Sequence, residues 1–318
     1  MNHLQAWGAV LLCVASTLLP SLGAAETIKI IVPFAAGGPV DQLARVLANK
    51  LGPQLDTDVI VEDRGGAGGA LGAELVARAA PDGKTILLGS LGSQVLGPLL
   101  KPPVAYDPIN GLVPIMLVGS VSSLLVTGSK LDVLDLADLI AQAKRGRAMT
   151  YGSAGPGSTM NIAGEMLNAS AGLRITHVPY RGAAPAISDL LGGHLDMLSA
   201  DVSILLPLVR SHSVKALALL ATDRSPLLPE VPTTTELQLP GVVMENWYGV
   251  FVPSATSPDL QQSLEAALSA VLDAPSMRER LASDGIRGTL GADAFRARLA
   301  KEFTFWRHTI STLGITAE

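Results

Sequence analysis

Short apolar runs alternate with amphipathic stretches along most of this chain, and the first pair sets the pattern. Residues 28–32 are an apolar run that predicts a buried strand, and a loop rich in Pro and Gly follows at residues 33–39. The next stretch predicts a helix. Its apolar positions at helical spacing are Leu43, Val46 and Leu47. Pro39 and Asp41 stand where such a helix begins, since Pro tolerates a missing N–H there and an acid favours the positive end of the helix dipole.

The same design recurs later, with a predicted strand at residues 148–151, a glycine loop at 152–158 and a helix at 160–167. A helix start presents unpaired backbone N–H groups, and glycines such as Gly37 and Gly38 let a ligand approach the backbone closely. Each unit is therefore a candidate anion site that needs no cationic side chain. Together they predict two α/β domains that face one ligand. The alternative is that both loops are ordinary tight turns between a strand and a helix.

Strands and helices continue to alternate after the first unit. Predicted strands at residues 58–62 and 85–89 lie on either side of a predicted helix at 71–80. The order β-α-β-α-β indicates a parallel sheet with helices on both faces. Because ligands of such sheets bind beyond the carboxyl ends of the strands, Ser90 is expected at the same edge as the loop at residues 33–39.

Two apolar stretches, at residues 115–127 and 242–252, predict the crossings between the domains. We therefore predict that residues 26–124 and 248–318 form a first domain and that residues 125–247 form a second one. A long amphipathic helix is predicted near the C-terminus, at residues 292–313. Its core face carries Phe295, Leu299, Phe303 and Trp306.

Composition narrows the class of protein. Hydrophobic residues make up 48% of the chain and charged residues 16%, which supports a sizeable core and excludes a disordered class. The net charge is −5, so the chain lacks the excess of basic residues that is typical of nucleic-acid-binding proteins. An acidic protein that binds anions must do so locally, through backbone dipoles.

Residues 1–25 predict a secretory signal peptide, because an apolar run too short to span a bilayer precedes the small residues Gly23, Ala24 and Ala25. The segment before the run lacks Lys and Arg, and the alternative is an uncleaved anchor. Cys13, the chain's one cysteine, lies inside this run. The mature secreted chain would then contain no disulfide, no catalytic thiolate and no cysteine-bound metal.

Enzyme signatures are scarce. Ser90 and Ser153 are each followed by a suitable Gly, but Leu88 and Tyr151 stand where a G-x-S-x-G motif needs its first Gly. The histidines lack metal-ligand spacing, so we expect no metal and no cofactor. His177 is expected to make a structural hydrogen bond. The acid Asp201, which follows a predicted strand, is expected either to accept from a ligand's hydrogen-bond donor or to cap the next helix.

Several motifs together resemble one known family. They are PFAAGGPVD at residues 33–41, VEDRGGAGGALGAE at 61–74, AAPDGKTILLG at 79–89, YGSAGPGS at 151–158, HVPYRG at 177–182, SDLLGGHLD at 188–196 and RSPLLPEVPT at 224–233. In this order and spacing they resemble the Bug family, the periplasmic receptors of tripartite tricarboxylate transporters. The resemblance covers essentially the whole chain after the predicted signal peptide.

The resemblance implies an α/β protein with the type II periplasmic-binding-protein fold, two α/β domains with a ligand cleft between them, and no enzymatic activity. It implies a small carboxylate as ligand, held by backbone groups of the two glycine loops. The ligand-binding residues carried over are Phe34, Ala35, Ala36, Gly37, Gly38 and Asp41 from the first unit, Ser90 and Gly92, Ser153, Ala154, Gly155, Gly157 and Ser158 from the second unit, and Asp201.

The chain departs from the family pattern at Val40, Leu91 and Gln94, where polar residues or His are usual, and at Ser199 to Asp201, where the acid is displaced by one position. We infer a more apolar cleft and a ligand with one carboxylate and an apolar or aromatic body.

The sequence thus predicts a monomeric periplasmic receptor that delivers its ligand to membrane transporter subunits or to a sensor, with hinges near residues 124–127 and 247–249. Two alternatives remain. One is a secreted serine hydrolase that uses Ser90 or Ser153, which requires a histidine within hydrogen-bond reach. The other is an interaction protein whose cleft is vestigial.

Overall fold

A computed structural model describes residues 27–100 and 106–316 of the chain. The predicted signal peptide and Cys13 lie outside the described residues. None of the helices in the described ranges is long and apolar enough to cross a membrane.

The described strands form one mixed sheet with helices packed on its faces. The strands are β1 (Ile28–Val32), β2 (Val59–Asp63), β3 (Thr85–Ser90), β4 (Leu112–Gly128), β5 (Thr150–Ser153), β6 (Thr176–Pro179), β7 (Met197–Asp201), β8 (Val214–Leu219), β9 (Glu245–Pro253) and β10 (Leu290–Gly291). The helices are α1 (Pro39–Leu55), α2 (Ala70–Ala77), α3 (Gly97–Leu100), α4 (Leu136–Lys144), α5 (Thr159–Ala171), α6 (Ala183–Gly192), α7 (Val202–Arg210), α8 (Pro258–Asp273), α9 (Pro275–Ser283) and α10 (Ala292–Leu313).

The ten-stranded sheet has the order β2-β1-β3-β9-β4-β7-β5-β6, with β8 and β10 pairing with β4 off this path. Strands β2, β1 and β3 are parallel, as the β-α-β-α-β pattern predicts, and Ile30 pairs with Val61 on one side and Ile86 on the other. Strand β9 then inserts antiparallel between β3 and β4. This insertion joins the C-terminal part of the chain to the N-terminal part.

Strand β4 belongs to both ends of the sheet. Up to Ser122 it pairs with β9, and from Ser123 it pairs with β7 and β8. We call the elements around β1, β2, β3, β9, β10 and residues 112–122 the first lobe, and those around β5 to β8 and residues 123–128 the second lobe. The crossings at residues 115–127 and 242–252 were predicted from their apolar character, and β4 and β9 occupy them. The exact division into rigid domains stays a prediction.

An aromatic cluster anchors α10 on the first lobe. Trp247 on β9 is fully buried and meets Phe295 of α10 edge to face, with the ring centroids 5.3 Å apart. Phe295, Phe303 and Trp306 of the predicted core face are buried and Leu299 packs against them. Burying each such side chain contributes about 1.5–3 kcal/mol, which explains why the amphipathic pattern located this helix so well.

Some predicted bounds were displaced, for local reasons. Strand β5 starts at Thr150, two residues later than predicted, because the backbone N–H of Thr150 donates to Asp196 Oδ2 at 2.7 Å and fixes the start of pairing. Helix α2 begins with a 3₁₀ turn at Ala67–Gly69. Directly after β3, a π-helical turn at Gly92–Leu96 leads into α3, and the sequence had predicted neither.

Candidate functional site

A cavity lies where the two lobes meet. Its wall is formed by Phe34, Gly38, Pro39, Val40, Asp41 and Ser90 from the first lobe, by Ala154, Ser158, Thr159, Met160, Ala183, Ala200 and Asp201 from the second, and by Asn246 on β9. The cavity has a volume of about 440 Å³. The two lobes therefore meet around a small space whose wall is mostly apolar.

Two helix starts on this wall share one geometry. Gly37 and Gly157 both have φ +82°, a left-handed conformation that glycine adopts without strain. The N–H of Gly37 donates to Asp41 Oδ2 at 2.8 Å, and the N–H of Gly157 donates to Asn161 Oδ1 at 3.0 Å. In each unit the third residue of the helix thus reaches back four residues and holds the loop in place. The similarity of the two predicted strand–loop–helix units extends to these hydrogen bonds.

These helix starts leave backbone donors open. The amides of Val40 and Asp41 in α1, and of Thr159 and Met160 in α5, have no acceptor among the described residues. All four residues lie on the cavity wall. The N-terminal turns of α6 and α7 reach the same wall through Ala183 and through Asp201, the residue before α7. Because helix N-termini carry partial positive charge, this wall is suited to an anion.

The wall also has an acidic end. Asp201 is buried, and its Oδ2 accepts hydrogen bonds from Asn246 Nδ2 at 2.8 Å and from the hydroxyl of Tyr248. No described residue donates to Asp201 Oδ1. The Asp201 side chain forms no cap hydrogen bond to α7, which removes the capping alternative that the sequence left open.

Burial governs the ionisation of this acidic end. Desolvation raises the pKa of Asp201 to about 6, although the hydrogen bonds from Tyr248 and Asn246 oppose the rise. Desolvation and the neighbouring Asp201 charge raise the pKa of Tyr248 well above its ordinary value. At neutral pH the cavity therefore contains a buried carboxylate beside a neutral phenol.

The predicted ligand-binding residues divide into two groups. Those on the cavity wall are Phe34, Gly38, Asp41, Ser90, Ala154, Ser158 and Asp201. Those on the same loops but away from the wall are Ala35, Ala36, Gly37, Gly92, Ser153, Gly155 and Gly157. Besides Asp201, two of these wall residues have engaged side chains, because Asp41 binds the Gly37 amide and pairs with Arg45 Nε at 2.8 Å, and the Ser158 hydroxyl donates to Gly155 O at 2.6 Å. Direct contact with a ligand stays a prediction for both groups.

Several glycines of these loops serve the contact between the lobes. A Cβ on Gly157 would lie 2.8 Å from Gly97 Cα, and a Cβ on Gly92 would lie 3.1 Å from Thr159 N. Gly68, at φ +66°, would place a Cβ 2.3 Å from Pro156 O. A direct hydrogen bond from Ala35 N to Arg181 O, at 3.1 Å, also joins the lobes. The glycine-rich loops thus permit the close approach of one lobe to the other.

The serine of the second loop does have a histidine partner. Ser153 Oγ lies 2.6 Å from His177 Nε2, and the histidine ring stacks on Tyr151 with centroids 4.9 Å apart. However, Ser153 is fully buried, its Oγ also accepts from Gly155 N, and it is not on the cavity wall. No described residue hydrogen-bonds to the other ring nitrogen of His177. The Ser153–His177 pair therefore lies outside this cavity, whereas Ser90, the other serine of the hydrolase alternative, lies on the cavity wall, which carries no histidine.

Sequence reasoning missed Asn246, Thr159, Met160 and Ala183 on the cavity wall. Thr159 and Met160 directly follow the predicted loop, so a longer loop would have included them. Asn246 had a weaker signal, a single amide within the apolar run at residues 242–252. Only the pairing of β9 with β4, and of β4 with β7, brings it beside Asp201.

Two α/β lobes that share a sheet and close over a cavity lined by helix N-termini are the architecture of a periplasmic binding protein. Residues 43–314 match the tripartite tricarboxylate transporter family receptors, and the chain belongs to that family. It is 35% identical to the protein BugT of Bordetella pertussis over 293 residues, which cover 91% of this chain and 90% of BugT.

Solved structures agree with this assignment. The periplasmic binding protein BugD has a TM-score of 0.88 and 32% identity, and the match covers 92% of this chain and 99% of BugD. MatC of Rhodopseudomonas palustris, solved with bound malate, has a TM-score of 0.85 and 31% identity over 89% of this chain and 98% of MatC. The fold and family implied by the sequence resemblance are therefore confirmed.

Proposed function

We propose that this chain is a periplasmic receptor that closes its two lobes over a small carboxylate and performs no covalent chemistry. The carboxylate would accept hydrogen bonds from the open amides at the starts of α1 and α5. Family membership supports this proposal, and so does the malate bound by the structural relative MatC.

One observation carries the proposal: two helix starts of the same geometry, one from each lobe, have unpaired amides in residues on the wall of one cavity. In an open protein, each amide pair would donate hydrogen bonds only to water. A carboxylate between them would bind both helix starts at once and thereby hold the lobes together. Since a ligand shifts a conformational equilibrium only by its differential affinity, this bridging contact is what would favour the closed state.

The hinge of this motion would lie in the two strands that cross between the lobes, near residues 124–127 and 247–249. Strand β4 changes partners between Ser122 and Ser123, and its register shifts between Leu125 and Val126. A strand that changes partners bends more readily there than within a continuous ladder. We propose residues 26–124 with 248–318, and residues 125–247, as the two rigid bodies.

The protein would act as a monomer, exported through the signal peptide at residues 1–25. The closed form would present its ligand to membrane transporter subunits of the tripartite tricarboxylate type or to a sensor. The family description supports the transporter as partner.

Thermal unfolding of the chain from Glu26 onward, purified under denaturing conditions and refolded to remove any bound ligand, tests this function against a panel of small carboxylates. A ligand at 100 times its Kd stabilises the native state by about 2.7 kcal/mol. For a chain of this size we expect Tm to rise by roughly 5–10 °C.

A matched pair of variants then tests the backbone site. Thr159→Pro removes one amide from the first position of α5, where Pro is tolerated and where the extended conformation of Ser158 suits a following Pro. Thr159→Ala keeps the amide. Weaker binding in Thr159→Pro than in Thr159→Ala is expected. No Tm shift with any carboxylate would reject the receptor function, whereas equal binding by the two variants would reject this amide as a ligand contact.

A further inference from the structure

The acidic end of the cavity holds two acceptors that no described residue satisfies. Asn246 is buried, and its Oδ1 has no hydrogen-bond partner. The orientation of its amide is fixed, because Asp201 Oδ2 can only accept and therefore must face Nδ2. Both hydrogen bonds to Asp201 end on Oδ2, so Oδ1 is the second open acceptor. Both residues lie on the cavity wall.

This end also carries a negative charge without a counterion. Among the residues of the cavity wall there is no Lys, Arg or His. The other acid of the wall, Asp41, is paired with Arg45, whereas Asp201 has only the neutral donors Asn246 and Tyr248. A buried charge that is not paired is costly, and a buried acceptor without a donor costs roughly 1–3 kcal/mol.

Building on the proposed receptor function, we infer that the ligand carries a cationic amine beside its carboxylate, and that this ammonium group lies against Asp201 Oδ1 and Asn246 Oδ1. An ammonium group has three donors and no acceptor, so it can satisfy both oxygens and neutralise Asp201 at once. A hydroxyl group offers one donor and no charge. A second carboxylate offers only acceptors and would meet Asp201 with like charge.

The rest of the wall specifies the body of this amino carboxylate. Between the open amides and the acidic end lie apolar residues: Phe34, Val40, Ala154, Met160 and Ala200. These five offer no hydrogen bond, and Ser90 and Thr159 are the wall residues whose hydroxyls remain for a polar substituent. The ligand class is therefore an amino acid with a mainly apolar side chain, which keeps the single carboxylate and apolar body expected from the sequence and adds the amine.

Calorimetric titration with three matched sets of ligands tests this inference. Each set keeps the carbon skeleton and changes one group: leucine, leucic acid and isocaproate; γ-aminobutyrate, γ-hydroxybutyrate and butyrate; aspartate, malate and succinate. In the set that fits the cavity, the amine is expected to bind roughly 10- to 100-fold more tightly than the unsubstituted acid, as for a hydrogen bond to a charged group.

The variant Asp201→Asn tests the assigned contact. It keeps the shape of the side chain and an oxygen that accepts from Tyr248, but it removes the charge. We expect the amine to lose most of its advantage over the unsubstituted acid in this variant, because the unsubstituted acid has no ammonium group for the Asp201 charge to attract.

Proton release gives a second readout that needs no variant. The ionisable groups that face this end are Asp201 itself, Tyr248 from β9, Asp41 from α1 and, acting on Tyr248, Asp284 after α9. An ammonium group beside Asp201 lowers its pKa from about 6, so binding at pH 6 should release protons to the buffer. A dicarboxylate would instead take protons up.

The outcomes separate the two proposals. Tightest binding by an amine, with protons released at pH 6, supports the inference. Tightest binding by malate, leucic acid or succinate, or proton uptake on binding of the best ligand, overturns the inference and leaves the receptor function standing. Binding of no member of any set contradicts the receptor function itself.

Discussion

Single residues fix the chemistry of the cavity, and Asp201 has the clearest consequence for stability. Because burial raises its pKa in the folded protein from 3.8 to about 6, the folded state holds this proton more tightly than the unfolded state does. The contribution of this protonated carboxyl group to the free energy of unfolding is fully present below about pH 4 and is lost as pH rises through 6. Two pKa units correspond to about 3 kcal/mol.

We therefore expect the ligand-free Asp201→Asn variant to gain up to about 3 kcal/mol in free energy of unfolding relative to the parent protein as pH rises from 4 to 7. Urea unfolding at several pH values measures this difference. The half-buried Asp138 provides a control of opposite sign, since hydrogen bonds from Leu134 N and Gln142 lower its pKa. The stability that Asp138 contributes is lost as pH falls. A pH-independent difference for Asp201→Asn would contradict the buried-carboxylate account.

Asp41 acts on the loop before α1. Its Oδ2 accepts from Gly37 N and its Oδ1 pairs with Arg45, so Asp41→Ala removes both contacts. We expect a loss of about 1–2 kcal/mol in free energy of unfolding, as for other lost helix-start contacts.

Asp41→Asn is the matched control. The amide oxygen can keep the hydrogen bond to Gly37 N, as Asn161 does for Gly157 in the second unit. We expect this variant to recover most of the stability that Asp41→Ala loses. Equal destabilisation by the two variants would show that the charge, and not the hydrogen bond, is what holds the loop.

At the scale of elements, the glycine-rich loops join the lobes. Gly68→Ala would place a methyl group against Pro156 O, 2.3 Å away, across the seam between the lobes. Gly172→Ala is the matched control, because Gly172 has a similar φ of +63° and no atom within 4 Å of the added carbon. Both changes carry the same backbone strain, roughly 1 kcal/mol.

Only Gly68→Ala should weaken ligand binding, because only its methyl group holds the lobes apart. If the closed state loses about 1.4 kcal/mol or more, the Kd rises at least tenfold. Titration of both variants with the best carboxylate of the panel measures this. Equal Kd values would show that the contact between Gly68 and Pro156 does not affect closure of the lobes.

The elements also show what the sequence could and could not predict. The predicted bounds of helix α10 match the observed ones. Its apolar stripe buries Phe295, Phe303 and Trp306 on one face, and Gly314, in the left-handed conformation, ends the helix. The π-helical turn at Gly92–Leu96 was missed, since all five residues are buried, including the polar Ser93 and Gln94, and the segment therefore has neither helical nor strand periodicity. The role of Gly68 was hidden because its contact, Pro156, is distant in the chain. Asn246 was missed for the same reason.

At the scale of the whole molecule, the seam between the lobes can be locked. An added Cβ on Gly37 of the first lobe would lie 3.4 Å from Ala184 Cβ of the second, close to the 3.5–4.5 Å that a disulfide requires. The chain has one cysteine, Cys13, which precedes Glu26, so a Gly37→Cys, Ala184→Cys pair in the chain from Glu26 onward has no competing thiol.

We expect the oxidised pair to neither bind nor release the carboxylate, because the disulfide would hold together the two lobes that form the cavity wall. Oxidation before ligand addition should abolish the calorimetric signal, and reduction should restore it. Oxidation after ligand addition should retain the ligand through dialysis. The single variant Ala184→Cys controls for the added thiol. Unhindered binding to the oxidised protein would mean that ligand enters without separation of the lobes, and the hinge at β4 and β9 would then have no part in recognition.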